Sequence, residues 1–210
     1  NKSLSIARSY EVHEEKLYLL VENVVIKYDM RTDEISFVQM NGDARLYTGI
    51  AKYENLFILE DTIYSKLVVW NEAYGQVRTT DINLGYRGIS AGDDGCPLEL
   101  FQVNEGIVVV QANANFLLLV NKSDIIRKIY FDIERKQEKD VFFTRVKQIG
   151  NRLIFPLDGK NAVLLVNTDD WTQQYVKMDL LHFDFEPVMI ELEKELYMLE
   201  NDFPCTIYNF

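Results

Sequence analysis

Cysteine is nearly missing: Cys96 and Cys205 are the only two in 210 residues, far apart and without metal-ligand spacing. That excludes a disulfide framework and a cysteine-built zinc site, and a reducing, cytoplasmic setting is expected. Histidine is as scarce, with only His13 and His182 to serve as catalytic bases. No Gly-x-Ser-x-Gly elbow and no phosphate-cradling glycine loop occurs. Positive charge is in deficit: 22 Lys and Arg against 33 Asp and Glu leave a net charge of −11. A nucleic-acid surface needs the opposite field, so no nucleic-acid partner is expected. No apolar run reaches membrane length, because "GIVVVQANANFLLLV" is broken by Gln111, Asn113 and Asn115, and no membrane partner is expected. The chain begins at Asn1 with no initiator Met and no signal-like segment, as a processed form or a part of a longer protein would.

What is present is strand material. Hydrophobic residues make up 48%, with 12 Tyr and 12 Phe among many Val and Ile, a composition that favours strands over helices. Five segments repeat one phrase: "LYLLVENVVIKYD" from Leu17, "LFILEDTIYSKLVVWN" from Leu56, "IVVVQANANFLLLVN" from Ile107, "LIFPLDGKNAVLLVN" from Leu153 and "LYMLENDFPCTIYN" from Leu196. Each is an apolar run, a polar hinge, a second apolar run and a closing Asp or Asn.

The closers Asp29, Asn71, Asn121, Asn167 and Asn209 stand 42, 50, 46 and 42 residues apart. Asp and Asn side chains bond their own backbone in tight turns, which ends a strand and starts a hairpin. Turn-like stretches such as "MRTDE" and "TDDWTQ" follow, leading into further strands such as "ISFVQ" and "QYVKM". Another candidate strand precedes each phrase: "IARSYEV", "LYTGIAKY", "PLELFQV", "VFFTRVKQI" and "PVMIELE". One unit is then a four-stranded meander repeating every 40–50 residues.

The phrase "KLYLLVENVVIKYDMRTDE" and its period resemble β-propeller blades across nearly the whole chain. The likeness is generic, to quinoprotein-like, kelch and WD-type blades alike. Their diagnostic signatures are absent: there is no kelch double glycine, and Trp70 is followed by Asn71 rather than Asp. The resemblance implies an all-β fold of four-stranded antiparallel blades in a single domain over 1–210, with units at about 3–43, 44–90, 97–137, 141–183 and 186–210. The last unit has three strands, and residues 1–6 are the candidate strand that completes it. A five-bladed ring closed in this way and a run of blades from a larger propeller both fit; an open ring would invite further blades or homo-association.

A propeller binds through its hinges and inter-blade loops. The candidate binding residues are therefore Asp61, Tyr64, Lys66, Asn113, Asp158, Lys160 and Asp202 from hinges, with Tyr86, Arg87, Asp93 and Asp94 from the Gly-rich loop "GYRGISAGDDGCP". An insertion confined to one loop of a repeat marks a binding face. Asp93-Asp94-Gly95 falls short of a calcium cage. His182, Asp184 and Glu186 alternate on one side of a strand as metal ligands could, but a half-buried strand reads the same way. No metal and no cofactor is expected. Trp171, in a turn after Asp169 and Asp170, is either an exposed anchor or folded back over its blade. The leading expectation is a non-enzymatic platform that holds a protein or peptide partner on its loop face. The alternative is a small-ligand, glycan or cation propeller, a hydrolase or lyase, with Asp61, Asp93, Asp94 and Asp158 converging on a channel mouth.

Overall fold

The computed structural model describes residues 9–40, 47–60, 64–71, 77–86, 98–111, 116–122, 124–132, 146–157, 162–177, 188–192, 195–199 and 207–209. Among these there is no helix. Blade 1 consists of β1 (Ser9–His13), β2 (Lys16–Val21), β3 (Val24–Asp29) and β4 (Glu34–Gln39). Blade 2 consists of β5 (Tyr47–Tyr53), β6 (Asn55–Glu60), β7 (Tyr64–Asn71) and β8 (Val77–Tyr86). Blade 3 has β9 (Leu98–Val103), β10 (Gly106–Gln111), β11 (Phe116–Val120) and β12 (Ile125–Tyr130). Blade 4 has β13 (Lys147–Ile149), β14 (Arg152–Leu157), β15 (Ala162–Asn167) and β16 (Gln173–Lys177). The described part of blade 5 has β17 (Val188–Leu192), β18 (Glu195–Leu199) and β19 (Ile207–Asn209). Strand order within every sheet follows chain order, and the pairings are antiparallel, so each sheet is an up-and-down meander.

Two compact units divide the chain: residues 1–111 with 116–128, and residues 112–115 with 129–210. In the first unit the packing follows from the two faces of each sheet. The forward face of blade 1, carrying Tyr18, Leu20, Val25 and Val38, packs on the rear face of blade 2, carrying Ile50, Leu56, Ile58 and Val68. The forward face of blade 2, with Phe57, Leu59, Leu67, Val69 and Ile82, packs in turn on the rear face of blade 3, with Ile107, Val109, Leu118 and Val120. Both faces of the inner strands of blade 2 are thus buried, which explains why they read as continuous apolar runs rather than as alternation. In the second unit, Phe131 meets Phe155 edge to face, with ring centres 5.2 Å apart.

Asp29, Asn121 and Asn167 act as their chemistry suggests. Asp29 Oδ1 accepts the N–H groups of Arg31 (2.9 Å) and Thr32 (3.3 Å), Asn121 Oδ1 accepts that of Asp124 (3.0 Å), and Asn167 Oδ1 accepts that of Asp169 (2.9 Å). Blades 1 and 4 share one turn: Asp33 N donates to Asp29 O and Trp171 N to Asn167 O, with Asp33 and Trp171 both at positive φ. A second tie joins this turn to the hairpin before it, from Met30 N to Glu15 O in blade 1 and from Thr168 N to Asn151 O in blade 4. Side chains reinforce it, as an Arg31–Glu15 ion pair in blade 1 and an Asn151–Asp169 hydrogen bond of 2.7 Å in blade 4. Trp171 is 7% exposed, so of the two expectations for it the folded-back one holds, and it is no exposed anchor.

The hairpin between β1 and β2 is a two-residue turn whose Glu14 and Glu15 have φ of 47° and 60°. Such a turn favours Asn-Gly, and glutamate in this conformation is strained. Glu14→Asn is expected to raise stability by about 0.5–1 kcal/mol, read as a higher urea midpoint at an unchanged m-value.

Candidate functional site

The structure brings two of the expected binding residues together. Tyr64 and Tyr86 lie opposite one another at the end of the β7–β8 ladder, beyond a register shift between Ser65 and Lys66. Lys66, in the same strand, is engaged: its Nζ lies 3.5 Å from Asp81 Oδ2, one diagonal step along the ladder. That pair straps β7 to β8. Asp61, Arg87, Asp93, Asp94, Asn113, Asp158, Lys160 and Asp202 lie outside the described residues, as do Cys96, His182 and Asp184. Among the described residues no group of three or more His, Cys, Asp or Glu could hold a metal ion.

Blade 4 carries a cavity of about 350 Å³ lined by Arg152, Leu165, Asn167, Thr172, Gln173 and Gln174. Much of its polar lining serves the fold. Asn167 caps the turn, Thr172 donates to Asp170 Oδ1 (2.7 Å), and Gln173 spans Tyr130 O (2.8 Å) and Asp132 N (2.9 Å). The Thr172 hydroxyl holds the Asp170 carboxyl below the usual carboxylate range.

The surface that stands apart is the rear face of blade 1. Two rows cross it, Tyr10–Leu19–Ile26–Phe37 and Val12–Leu17–Tyr28–Ile35, with Val21, Val24 and Gln39 beyond the first. Among the described residues of these four strands none on this face is charged, and at one corner the Tyr28 hydroxyl donates to Asp33 Oδ1 (2.7 Å). Every charge on these four strands instead falls on the forward face, at Glu11, Lys16, Lys27, Asp29 and Glu34. The outer members are strongly exposed: Tyr10 69%, Val12 56%, Ile35 59% and Phe37 61%.

The repeat shows how unusual this is for the molecule. The paired positions Leu17/Tyr28 and Leu19/Ile26 match Leu56/Trp70 and Ile58/Val68 in blade 2. They match Ile107/Val120 and Val109/Leu118 in blade 3, and Leu153/Val166 and Phe155/Leu164 in blade 4. In blades 3 and 4 all of these are buried. In blade 1 all four are only half-buried. Tyr10 shows the difference most sharply, since its counterpart Ile50 is buried. Sequence reasoning missed this face because its residues look the same as those of a covered one.

On the forward side of the same strand, Glu11 stands opposite Tyr18, at the position blade 2 fills with buried Ala51. Burial pushes its carboxyl up from 4.5 to about 7. Between those values the unfolded chain has released the proton and the folded chain has not, so stability falls as pH rises through this window. Above it the folded state carries the whole cost of an ionised, partly buried carboxylate. Glu11→Gln is expected to match the parent protein at pH 4 and to exceed it by about 1 kcal/mol at pH 8, a value reduced for partial solvation. Urea titrations of both proteins at pH 4, 6 and 8 check this.

Solved structures of β-propeller proteins resemble this chain. One is virginiamycin B lyase from Staphylococcus aureus, with a TM-score of 0.64 at 12% identity, covering 97% of this chain and 69% of that one. Another is a streptogramin B lyase, with a TM-score of 0.63 at 12% identity, covering 98% and 68%. A third is KlHsv2 with its loop 6CD replaced by a Gly-Ser linker, with a TM-score of 0.59 at 13% identity; this chain spans 59% of its length. No family model and no curated protein matches the sequence.

Proposed function

From the premise that this chain is a β-propeller of four-stranded antiparallel blades, we propose that it works as a non-enzymatic interaction platform for a protein partner. The rear face of blade 1 is the surface that receives this partner. One observation supports the reading above the others: on a sheet face whose described strand residues are all uncharged, two aromatic and two β-branched side chains are more than half exposed. Large contiguous apolar surface of this kind is characteristic of protein-binding sites. Exposed Tyr and Phe are efficient anchors, because each buries much area while fixing few torsions. The net charge of −11 narrows the choice of partner toward neutral or basic surfaces around that apolar centre.

A photo-crosslinking benzoylphenylalanine in place of Phe37 tests this in cells that produce the protein. A discrete protein adduct is expected there, and none from the same group in place of Tyr175 in blade 4. Equal labelling at both positions, or no adduct at Phe37, would contradict the proposal.

A further inference from the structure

We propose that the cavity of blade 4 binds a small hydroxylated organic acid, whose carboxylate is held by Arg152. The cavity belongs to the second compact unit, so this site goes beyond the platform reading and does not depend on it. Its place follows from the register. Arg152 opens β14 opposite Asn167, Leu165 pairs with Gln174, and Asn167 N donates to Thr172 O. Side chains alternate along a strand, so Arg152, Leu165, Asn167, Thr172 and Gln174 project to one side of the sheet. They gather at the end of the blade, where the β13–β14 hairpin meets the β15–β16 turn.

Charge is the first argument. The position of Arg152 and the closer across from it read Lys16 and Asp29 in blade 1, Asn55 and Asn71 in blade 2, and Gly106 and Asn121 in blade 3. Blade 1 thus sets its cation against a carboxylate; the Arg31 N–H, and to a smaller degree Lys16, hold Asp29 below the usual carboxylate range. In blade 4 the closer is neutral, and among the described residues the Arg152 side chain has neither an ion pair nor a hydrogen bond. The acids of the adjoining turn are engaged elsewhere, Asp170 by the Thr172 hydroxyl and Asp169 by Asn151. No carboxylate lines the cavity.

The remaining lining is the second argument. Asn167 Oδ1 accepts from the Asp169 N–H (2.9 Å) and from Asn151 Nδ2 (3.3 Å), which leaves Asn167 Nδ2 as a donor. The Gln174 amide has no partner among the described residues. A guanidinium fork takes a planar carboxylate through two parallel N–H···O bonds, and amides beside it suit the hydroxyl groups of the same molecule. Leu165 supplies an apolar wall. A phosphate dianion would bring a second negative charge toward Asp169 and Asp170, which disfavours it. The volume of about 350 Å³ is at the small end of the range of small-molecule sites.

Saturation-transfer NMR on the whole chain, with sodium lactate and sodium glucuronate as probes, is the test. At least one of the two is expected to bind with a Kd on the order of 1 mM. Glucose, which lacks the carboxylate, binds at least about tenfold more weakly, and inorganic phosphate is the poorer competitor. Arg152→Gln weakens binding at least about tenfold. Arg152 is exposed, so the variant keeps the parent's urea midpoint. Lys16→Gln, at the matching position of blade 1, leaves binding unchanged. Failure of both acids to bind at ~20 mM overturns the proposal. So does binding that is indifferent to Arg152→Gln, equal for glucose, stronger for phosphate, or lost equally with Lys16→Gln.

Discussion

Ile50→Lys is expected to cost at least about 3 kcal/mol of stability, and Tyr10→Lys less than about 0.5 kcal/mol. The two residues hold the same place in successive blades: Tyr10 pairs with Leu19 of β2, and Ile50 with Ile58 of β6. Both project from the rear face of their sheet. Ile50 is 3% exposed beneath the forward face of blade 1, within a cluster that includes Tyr18, Leu20 and Val25. The cluster around it is apolar, and taking an ammonium group out of water into such surroundings costs several kcal/mol. Tyr10 is 69% exposed, so its ammonium replacement stays in water, where a surface substitution changes little. Urea unfolding of both variants at low protein concentration measures the difference. Equal costs would mean that the two rear faces are covered alike.

Gly106→Ala is expected to destabilise by on the order of 3 kcal/mol, lowering the melting temperature by roughly 6–12 °C. Gly106 follows the Asn104-Glu105 turn, opens β10 and pairs with Val103. Its φ is 155°, and a Cβ there would press into the carbonyl of Val120, 3.2 Å from the carbon and closer still to the oxygen. That atom belongs to backbone and cannot swing aside. Relief would require moving β10 away from β11, and Ile107, Val109, Leu118 and Val120 of those strands all sit in the core shared with blade 2. By contrast, an added Cβ on Gly150 meets nothing within 4 Å, although its φ of 55° still strains any L residue. Gly150→Asn is therefore the matched comparison, costing well under 1 kcal/mol because Asn tolerates this conformation. Thermal melts of both variants separate steric conflict from backbone preference.

Much of the fold is legible in the sequence, for a reason visible in the turns. A closer such as Asp29 or Asn167 acts locally, bonding N–H groups two or three residues on, so its effect can be read from sequence alone. The strands before the second and third phrases are also close to their expected places: β5 covers Tyr47–Tyr53 and β9 covers Leu98–Val103, against "LYTGIAKY" and "PLELFQV". The described residues of the last unit form three strands. Local bonds and strand periodicity are properties of neighbouring residues, and the sequence carries them directly.

Coverage is a different kind of property. "SYEVH" and "EISFVQ" of blade 1 carry apolar residues on one side just as covered strands do, and nothing within them says whether another sheet lies on top. Trp171 shows the same limit: its neighbours Asp169, Asp170 and Thr172 leave an exposed and a folded-back side chain equally open, and only the structure places it in a buried site. Lys66 shows the same limit at the candidate site, since its ion pair with Asp81 depends on how β7 and β8 are registered. Hinge polarity marked it for binding; the ladder gives it a structural partner.

A rear face of blade 1 that receives a partner must be open in the single chain, and tyrosine labelling measures this most directly. The chain is diluted until sedimentation shows a monomer, then treated with a tyrosine-selective reagent and mapped by mass spectrometry. The account predicts fast modification of Tyr10, with Tyr18 and Tyr47, 1% and 2% exposed, protected until the protein unfolds. Tyr10 as slow as Tyr18 in the monomer would contradict it, because the face would then be covered from within the chain and closed to any partner.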